Sequence, residues 1–449
     1  MNLEVDVAIV GAGISGLSAA WELYKSGIES IVVLEARSRV GGRTLNESLP
    51  SGSYVEQGGT WAGIEHTRFL ALAKELGVAT KLGQREGDFL CQIGDRWKNL
   101  DTTDAFSSQA AQEDFKQVLS KFERLRRTLP TASWQAENAA YLDSLTMQEW
   151  IEQNTTTIEG REWFSGCVRQ TISGELSQVS LLWILHFFNT TGDIFLGLNA
   201  GAEGIRFVGG SQQLSLRIAE KLGDRVTTDA PVTYIQGYDS SQVRIKCHRG
   251  TIVAKAVIVA MMPKDVGRIT FDPPLPPMHQ ELIANWQTMS WVKFYAIYEK
   301  PFWHHKTTGS HFLSFDTKFD VYDVSPEDSS QGIIVGLLPS DRVRPEKRQA
   351  YYLDFLAETF GEAARYPQEL TEFDWNDRLW TGGCVSALLP GVLSKLGTTL
   401  NQSVGKVYWA GTERSPVWTN YIEGAIYSGQ QTALEVLQKL QSGQTLQNS

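Results

Sequence analysis

Apolar and polar positions are distributed along this chain in two contrasting ways, and the contrast is sharpest near its start. Val5, Val7, Ala8, Ile9 and Val10 make a nearly unbroken apolar run, the signature of a strand buried on both faces. Gly11-Ala12-Gly13-Ile14-Ser15-Gly16 stops that run, and Leu17, Ala20, Leu23 and Tyr24 then recur at helical spacing. A second apolar run begins after Ser30 and ends at Glu35. Strand, glycine turn, helix, strand and acid stand in the order of a βαβ dinucleotide-binding unit. Gly11, Gly13 and Gly16, with Ser15 among them, would let the backbone approach a pyrophosphate seated on the helix N-terminus. Glu35 would accept hydrogen bonds from a ribose.

Further along, residues 102–129 space apolar side chains near the helical period among mixed charges and predict an exposed amphipathic helix. The longest apolar run, Val179 to Phe188, contains His186 and is too short for a bilayer. Trp291 to Tyr298 is apolar and rich in strand-forming residues around a single lysine, Lys293. Val324 to Gly332, rich in Ser and Asp, predicts a surface turn between strands.

Size and charge narrow the picture. The 449 residues suffice for two domains, and 42% apolar with 20% charged residues is ordinary for a globular protein. The formal charge, 41 − 51 = −10, argues against nucleic acid or an anionic membrane as partner. The four cysteines, Cys91, Cys167, Cys247 and Cys384, form no CxxC, which excludes a zinc ribbon and points to a reducing, cytoplasmic setting. His304 and His305 are neighbours and would not share a helix face, so no metal site is expected. The chain enters its first strand without the charged region and cleavage site of a signal peptide, and no membrane anchor is expected.

The candidate chemistry begins just past Glu35. Arg37, Arg39 and Arg43 surround Gly41-Gly42, a second glycine turn whose arginines could clamp phosphate oxygens. A plain NAD domain does not need it. The stretch Glu56 to Gly63, with Gly59 and Thr60, repeats the theme of a glycine pair followed by an aromatic. From here the chain resembles the flavin-containing monoamine oxidase family, and the likeness continues through Arg206–Ile235, Ala256–Pro263, Phe271–Met278, Trp291–Trp303 and Val407–Ala433.

That resemblance implies an α/β fold: a Rossmann-like FAD-binding domain assembled from residues 1–85, 205–285 and 380–449, and a mixed α+β substrate domain from 86–204 and 286–379. It places Gly42, Arg43, Gly59, Thr60 and Val232 around FAD, with Val232 at the adenine. The closing motif, Gly411-Thr412-Glu413 and the helix starting near Ile422, aims a helix N-terminus at the flavin. The family's Gly-Gly-Cys thiol, bonded to the flavin ring methyl in monoamine oxidases, matches Cys384 after Gly382-Gly383; some relatives hold FAD without that bond. Trp375 matches an aromatic beside the flavin. Lys293 matches the active-site lysine that assists reaction with oxygen.

The cage that orients the amine departs from the family. Its usual tyrosine after the cysteine is Val385 here, while the opposite wall matches Tyr421. Losing one wall weakens selection for small aryl-amines and opens room for other substrates. The substrate side would be lined by Cys167, Gln170 and Thr171, with Phe195 as a gate and Ala202 where mammalian-type enzymes carry glutamine.

The resemblance therefore implies oxidation of an amine C–N bond to an imine, with dioxygen as acceptor and hydrogen peroxide as product. An alkyl amine titrates near 10, so about one molecule in a thousand is neutral at pH 7, a deficit of roughly 4 kcal/mol that desolvation can offset. No general base is demanded, and the sequence offers no evident His–Asp pair. Three alternatives stay open. One is a polyamine oxidase, for which Glu203 is the acidic candidate, or an L-amino-acid oxidase, for which no carboxylate-pairing arginine can be placed. Another is a desaturase or dehydrogenase using a different acceptor. The third is an FAD-holding binding subunit. Substrate identity and a homodimeric state are left open.

Overall fold

The computed structural model describes residues 2–50, 54–83, 87–93, 96–99, 106–172, 175–192, 202–305, 307, 309–314, 319–376 and 379–447; the side chains of 93, 96, 170 and 443–447 lie outside that description. Two large sheets organise the chain.

The first sheet is built on the strand Asn2–Val10. It pairs in parallel with Ile31–Leu34 on one side and with the long strand Gly250–Val259 on the other. Gly250–Val259 is shared: its first half pairs antiparallel with Val243–Cys247, and its last residues pair in parallel with Val407–Trp409. The unbroken apolar run is explained by the two faces. Val7 and Ile9 enter one core with the helices Ile14–Lys25, Gln212–Leu222 and Ile422–Gln447, while Ala8 and Val10 enter another with Ile235, Ile245 and Val407.

The second sheet runs in the order Glu369–Asp374, Trp291–Tyr298, Gly332–Pro339, Asp320–Asp323, Gly309–Ser314, Asp88–Ile93, Arg96–Asn99. Pairing is antiparallel except between Gly309–Ser314 and Asp88–Ile93. Alternation along Trp291–Tyr298 gives the two faces of this sheet different partners. Val292, Phe294 and Ala296 pack beneath the helix Pro345–Phe360, with Tyr352 and Phe355. Tyr295 and Ile297 turn the other way, onto Leu49, Val55 and Trp61 of the N-terminal segment. Lys293 shares that second face by the period of two.

The third element is a helical layer. Gln109–Arg127 is the expected amphipathic helix, capped by Ser108 and burying Val118 and Phe122. Leu181–Thr191, inside the longest apolar run, is a buried helix capped by Ser180. Ala387, Leu388, Leu393, Leu396 and Leu400 pack into this layer, so the chain crosses from sheet to helices and back between Glu369–Asp374 and Val407–Trp409. The turn over Val324 to Gly332 joins two neighbouring strands of the second sheet, as expected. The four cysteines form no disulfide with one another, and no helix among the described residues is long and apolar enough to cross a membrane.

Candidate active site

A cleft of about 1250 Å³, part of it open to solvent, runs along the C-terminal edge of the parallel strands. The glycine turn makes its floor. Gly11 has φ +101°, and a Cβ there would stand 2.8 Å from the Ala260 carbonyl oxygen; a Cβ on Gly16 would stand 2.0 Å from the Gly11 carbonyl oxygen. Only glycine fits either place. The helix Ile14–Lys25 starts at Gly13 with no side-chain cap, so its first amides are left for a ligand. Glu35 accepts hydrogen bonds from the Ala12 N–H (2.8 Å) and the Arg37 N–H (3.0 Å). Two backbone donors thus hold the carboxylate at the strand end with lone pairs to spare.

The arginines divide their work. Arg39 donates to the carbonyls of Val40, Gly42 and Thr44 and braces the second glycine turn. Arg37 donates to Thr381 Oγ1. Arg43 donates to the Cys384 carbonyl (2.9 Å) and pairs with Glu413 at 2.7 Å. These last two arginines tie the N-terminal segment to the far end of the chain across the cleft.

Several polar groups on this cleft are unsatisfied by protein. Among the described residues, Ser15 Oγ, Asp265 Oδ1 and both carboxylate oxygens of Glu413 are buried without a hydrogen-bond partner, the Arg43 contact being an ion pair out of hydrogen-bond alignment. All three residues line the cleft. Burying unpartnered polar groups costs roughly 1–3 kcal/mol each, so the site is shaped for a polar ligand. A dinucleotide meets it. Ribose and ribityl hydroxyls can donate to Glu35 and Glu413, and phosphate oxygens can accept from Ser15 and the helix amides. The residues present fit FAD.

Gly59, Cys384, Tyr421 and Ile422 also line the cleft, and the Ile422 side chain lies against Gly59. Gly383 has φ +123°, and its N–H and that of Cys384 are taken by Thr381 and Met289 carbonyls, which fixes the thiol's approach. Burial pushes the Cys384 thiol up, while the charges of Arg43 and Lys293 pull it back. Tyr421 precedes the helix Ile422–Gln447, and burial, then the charge of Glu203, raises its phenol. Lys293 is buried; its Nζ donates to Thr60 Oγ1 and to the Gly58 carbonyl (3.0 Å) and lies 4.7 Å from the centre of the Trp61 ring. Burial lowers the ammonium to about 7, against the pull of Glu56.

A model of the flavin containing amine oxidoreductase family matches residues 14–437. The chain belongs to this family. Flavin-containing amine oxidase B of Sus scrofa is 32% identical over 452 residues, covering 97% of this chain and 87% of the relative. An L-amino acid dehydrogenase of Synechocystis is 34% identical over 458 residues, covering 96% and 94%. The solved structure of putrescine oxidase bound to putrescine matches with a TM-score of 0.92 at 27% identity, over 97% of this chain and 100% of that one. This is a flavin-dependent enzyme with the two-sheet fold of that neighbour.

Within this flavin amine oxidoreductase, the expected cofactor residues Gly11, Gly13, Ser15, Glu35, Arg37, Gly42, Arg43 and Gly59 all line the cleft. So do Val232, Cys384, Gly411, Thr412, Glu413 and Ile422 from later in the chain. Others stand off its wall. Gly16 packs under Gly11, Thr60 holds Lys293, and Trp375 is buried with its Nε1 donating to the Gln57 carbonyl. Of the described residues expected to line the substrate pocket, Tyr421 alone is on the wall of this cleft. Val385 is half-buried and pairs with Met289. Ala202 is buried. Thr171 donates its hydroxyl to its own helix, at the Val168 carbonyl. Cys167 is enclosed by Phe89, Cys91, Trp163 and Leu313, and burial drives its thiol to about 12. The Gln170 side chain and Phe195 lie outside the described residues.

Two features go beyond the sequence reading. The structure forms two His–carboxylate pairs where none was evident: His311 Nε2 with Asp320 Oδ1 at 2.5 Å and His304 Nε2 with Asp323 Oδ2 at 2.7 Å. Pairing of Gly309–Ser314 with Asp320–Asp323 brings the first together, a signal carried by strand register rather than by spacing in the chain. Second, Glu203 has rich company. Burial and Asp320 raise its carboxyl to about 7; His311, a hydrogen bond from Tyr322, and Lys293 oppose that. Tyr322 has one phenol proton, which points at Asp320 (2.7 Å) with Glu203 competing for it, and the His311 ring lies sandwiched between Phe89 (4.0 Å) and Tyr322 (4.2 Å). Glu203 keeps accessible surface in the midst of these groups.

Proposed function

We propose that the protein oxidises the C–N bond of an amine to an imine, which water hydrolyses to a carbonyl compound, with dioxygen as electron acceptor and hydrogen peroxide released. The observation that carries this reading is a cleft suited to FAD that Tyr421 and Cys384 line, with the buried Lys293 close enough to Cys384 for its charge to act on the thiol. FAD bound there would supply the two-electron acceptor. Tyr421 would offer its ring face to the amine nitrogen. Apolar side chains beside it, Phe187 among them, would strip water from an arriving ammonium and shift it toward the neutral amine. Lys293 would hold a proton and positive charge where dioxygen is reduced.

Anaerobic mixing with benzylamine, cyclohexylamine, putrescine and L-leucine tests the reading. Bleaching of the flavin band by at least one amine, reversed by air with one peroxide per turnover, is the expected result. No bleaching by any amine would sink it. Bleaching by amines that air does not reverse would favour the dehydrogenase alternative.

We also propose a bond between Cys384 and the flavin ring methyl. Forming it removes the thiol proton and one methyl hydrogen, and the two electrons pass through the ring to dioxygen. Acid precipitation of the wild type should leave the yellow colour in the pellet, and Cys384→Ser should release it to the supernatant. Colour released from the wild type would refute the bond.

A second reading concerns the substrate. Glu203 favours an amine carrying a second cationic group, a diamine or polyamine, because a carboxylate near Tyr421 would attract that group and repel the carboxylate of an amino acid.

A further inference from the structure

Tyr421 and Cys384 both line the cleft from distant parts of the chain, and one side chain ties together the segments that carry them. Asn420 donates from Nδ2 to the Ser386 carbonyl (3.1 Å) and accepts from the Ser386 N–H at Oδ1 (3.2 Å). Its amide thus pairs with both backbone groups of one residue, as a neighbouring strand would. Asn420 has φ +68°, and Trp418, two residues earlier, has φ +50°. Such values are uncommon for residues other than glycine, although Asn tolerates them better than most.

Both partners of this clamp are anchored. Ser386 is fully buried; its carbonyl also accepts from Trp183 Nε1 (3.1 Å), and its Oγ accepts from Trp286 Nε1 (2.9 Å). On the other side, the Thr419 N–H donates to Thr190 Oγ1 and the Tyr421 carbonyl accepts from Thr412 Oγ1. The Trp418 ring meets Tyr421 edge-on at 5.2 Å, and His66 meets Trp418 edge-on at 4.2 Å. Tyr421 is therefore braced from behind, and Asn420 fixes how far it stands from Val385.

That distance matters more here than with two aromatic walls. Val385 is too short to close on a bound amine from the opposite side, so the spacing between Tyr421 and the Cys384–Val385 backbone has to do the orienting. We propose that Asn420 is a positioning residue whose paired amide sets this gap and so aligns the amine for oxidation. The proposal rests on the amine-oxidation reading above.

Asn420→Gly tests it, because glycine accepts the same backbone angle and removes the clamp; Asn420 also lines the cleft, so FAD content is measured alongside. FAD content should match the wild type. Reduction by amine should slow about tenfold, the scale of a sub-ångström misplacement, while reoxidation by dioxygen keeps its rate. Asn420→Asp supplies a rescue. Its ionised carboxylate would oppose the Ser386 carbonyl, whereas the protonated form can again accept and donate. The variant-to-wild-type ratio of reduction rates should therefore rise as pH falls. Titration with tert-butylamine, which has no hydrogen on the carbon beside nitrogen, reads the chamber without turnover: the flavin absorbance shift should need about fivefold more amine in Asn420→Gly. Reduction at the wild-type rate, equal slowing of both half-reactions, or loss of FAD from Asn420→Gly would overturn the proposal, as would a pH-independent ratio for Asn420→Asp. If no amine reduces the wild type, the functional reading fails by itself. The titration then decides the clamp: equal affinities reject it, and weaker binding in the variant sustains it.

Discussion

Lys293→Met is expected to retain FAD and its reduction by amine, yet to slow reoxidation by dioxygen about 100- to 1000-fold, the effect of removing one preorganised charge-stabilising donor, roughly 3–4 kcal/mol. Methionine keeps the length of the side chain and removes the charge. The lysine is held by Thr60 and the Gly58 carbonyl beneath Trp61, next to Gly59, which lines the cleft. Stopped-flow mixing of reduced enzyme with dissolved oxygen measures the step, and an unchanged rate would remove Lys293 from the reaction.

The titration of Lys293 makes a second handle. With the ammonium at about 7 rather than 10.5, the wild-type oxygen reaction should weaken as pH rises through about 7, and the methionine variant should show no such step. Stability carries the opposite dependence. Below about 7 both folded and unfolded chains hold the proton, and the cost of burying the charge is present in full. Between about 7 and 10.5 only the unfolded chain holds it. The contribution of this group to stability therefore rises with pH over that window, and Lys293→Met should abolish that component.

How much of this was legible in the chain depends on the range of each interaction. The glycine turn, Glu35 and the strand run of Val7 to Val10 were readable because local sequence and burial on two faces dictate them. The closing segment Gly411 to Ile422 was reachable only by resemblance, since nothing local says that it meets Arg43 across the fold. Arg39 looked like a phosphate clamp by composition, but its position in a tight turn gives it three nearby carbonyls to satisfy. The Glu203–Asp320–His311–Tyr322 group was illegible for another reason. Its members come from a loop and from two paired strands, and register alone makes them neighbours. Asn420 was hidden in the same way: its backbone angle and its partner Ser386 appear only when the two segments are assembled.

Glu203→Gln should separate diamines from monoamines. For putrescine, kcat/KM is expected to fall about 30- to 100-fold, roughly 2–3 kcal/mol for one lost charge-assisted contact in a desolvated site; for butylamine, which has the same carbon chain and one nitrogen, it should change less than about threefold. Glutamine preserves the shape and the hydrogen bond with Tyr322, so a general loss of fold is not expected. The dependence on pH has a sign. Burial and Asp320 raise Glu203 from 4.5 to about 7, and only the ionised form attracts a second ammonium. The preference of the wild type for putrescine over butylamine should therefore grow as pH climbs through about 7, while the glutamine variant should show a flat ratio. Lys293 titrates in the same range and its charge acts on Glu203, so the comparison is repeated in Lys293→Met, where a remaining rise of the ratio with pH belongs to Glu203. A ratio that Glu203→Gln leaves intact would reject the diamine reading while amine oxidation itself still stood.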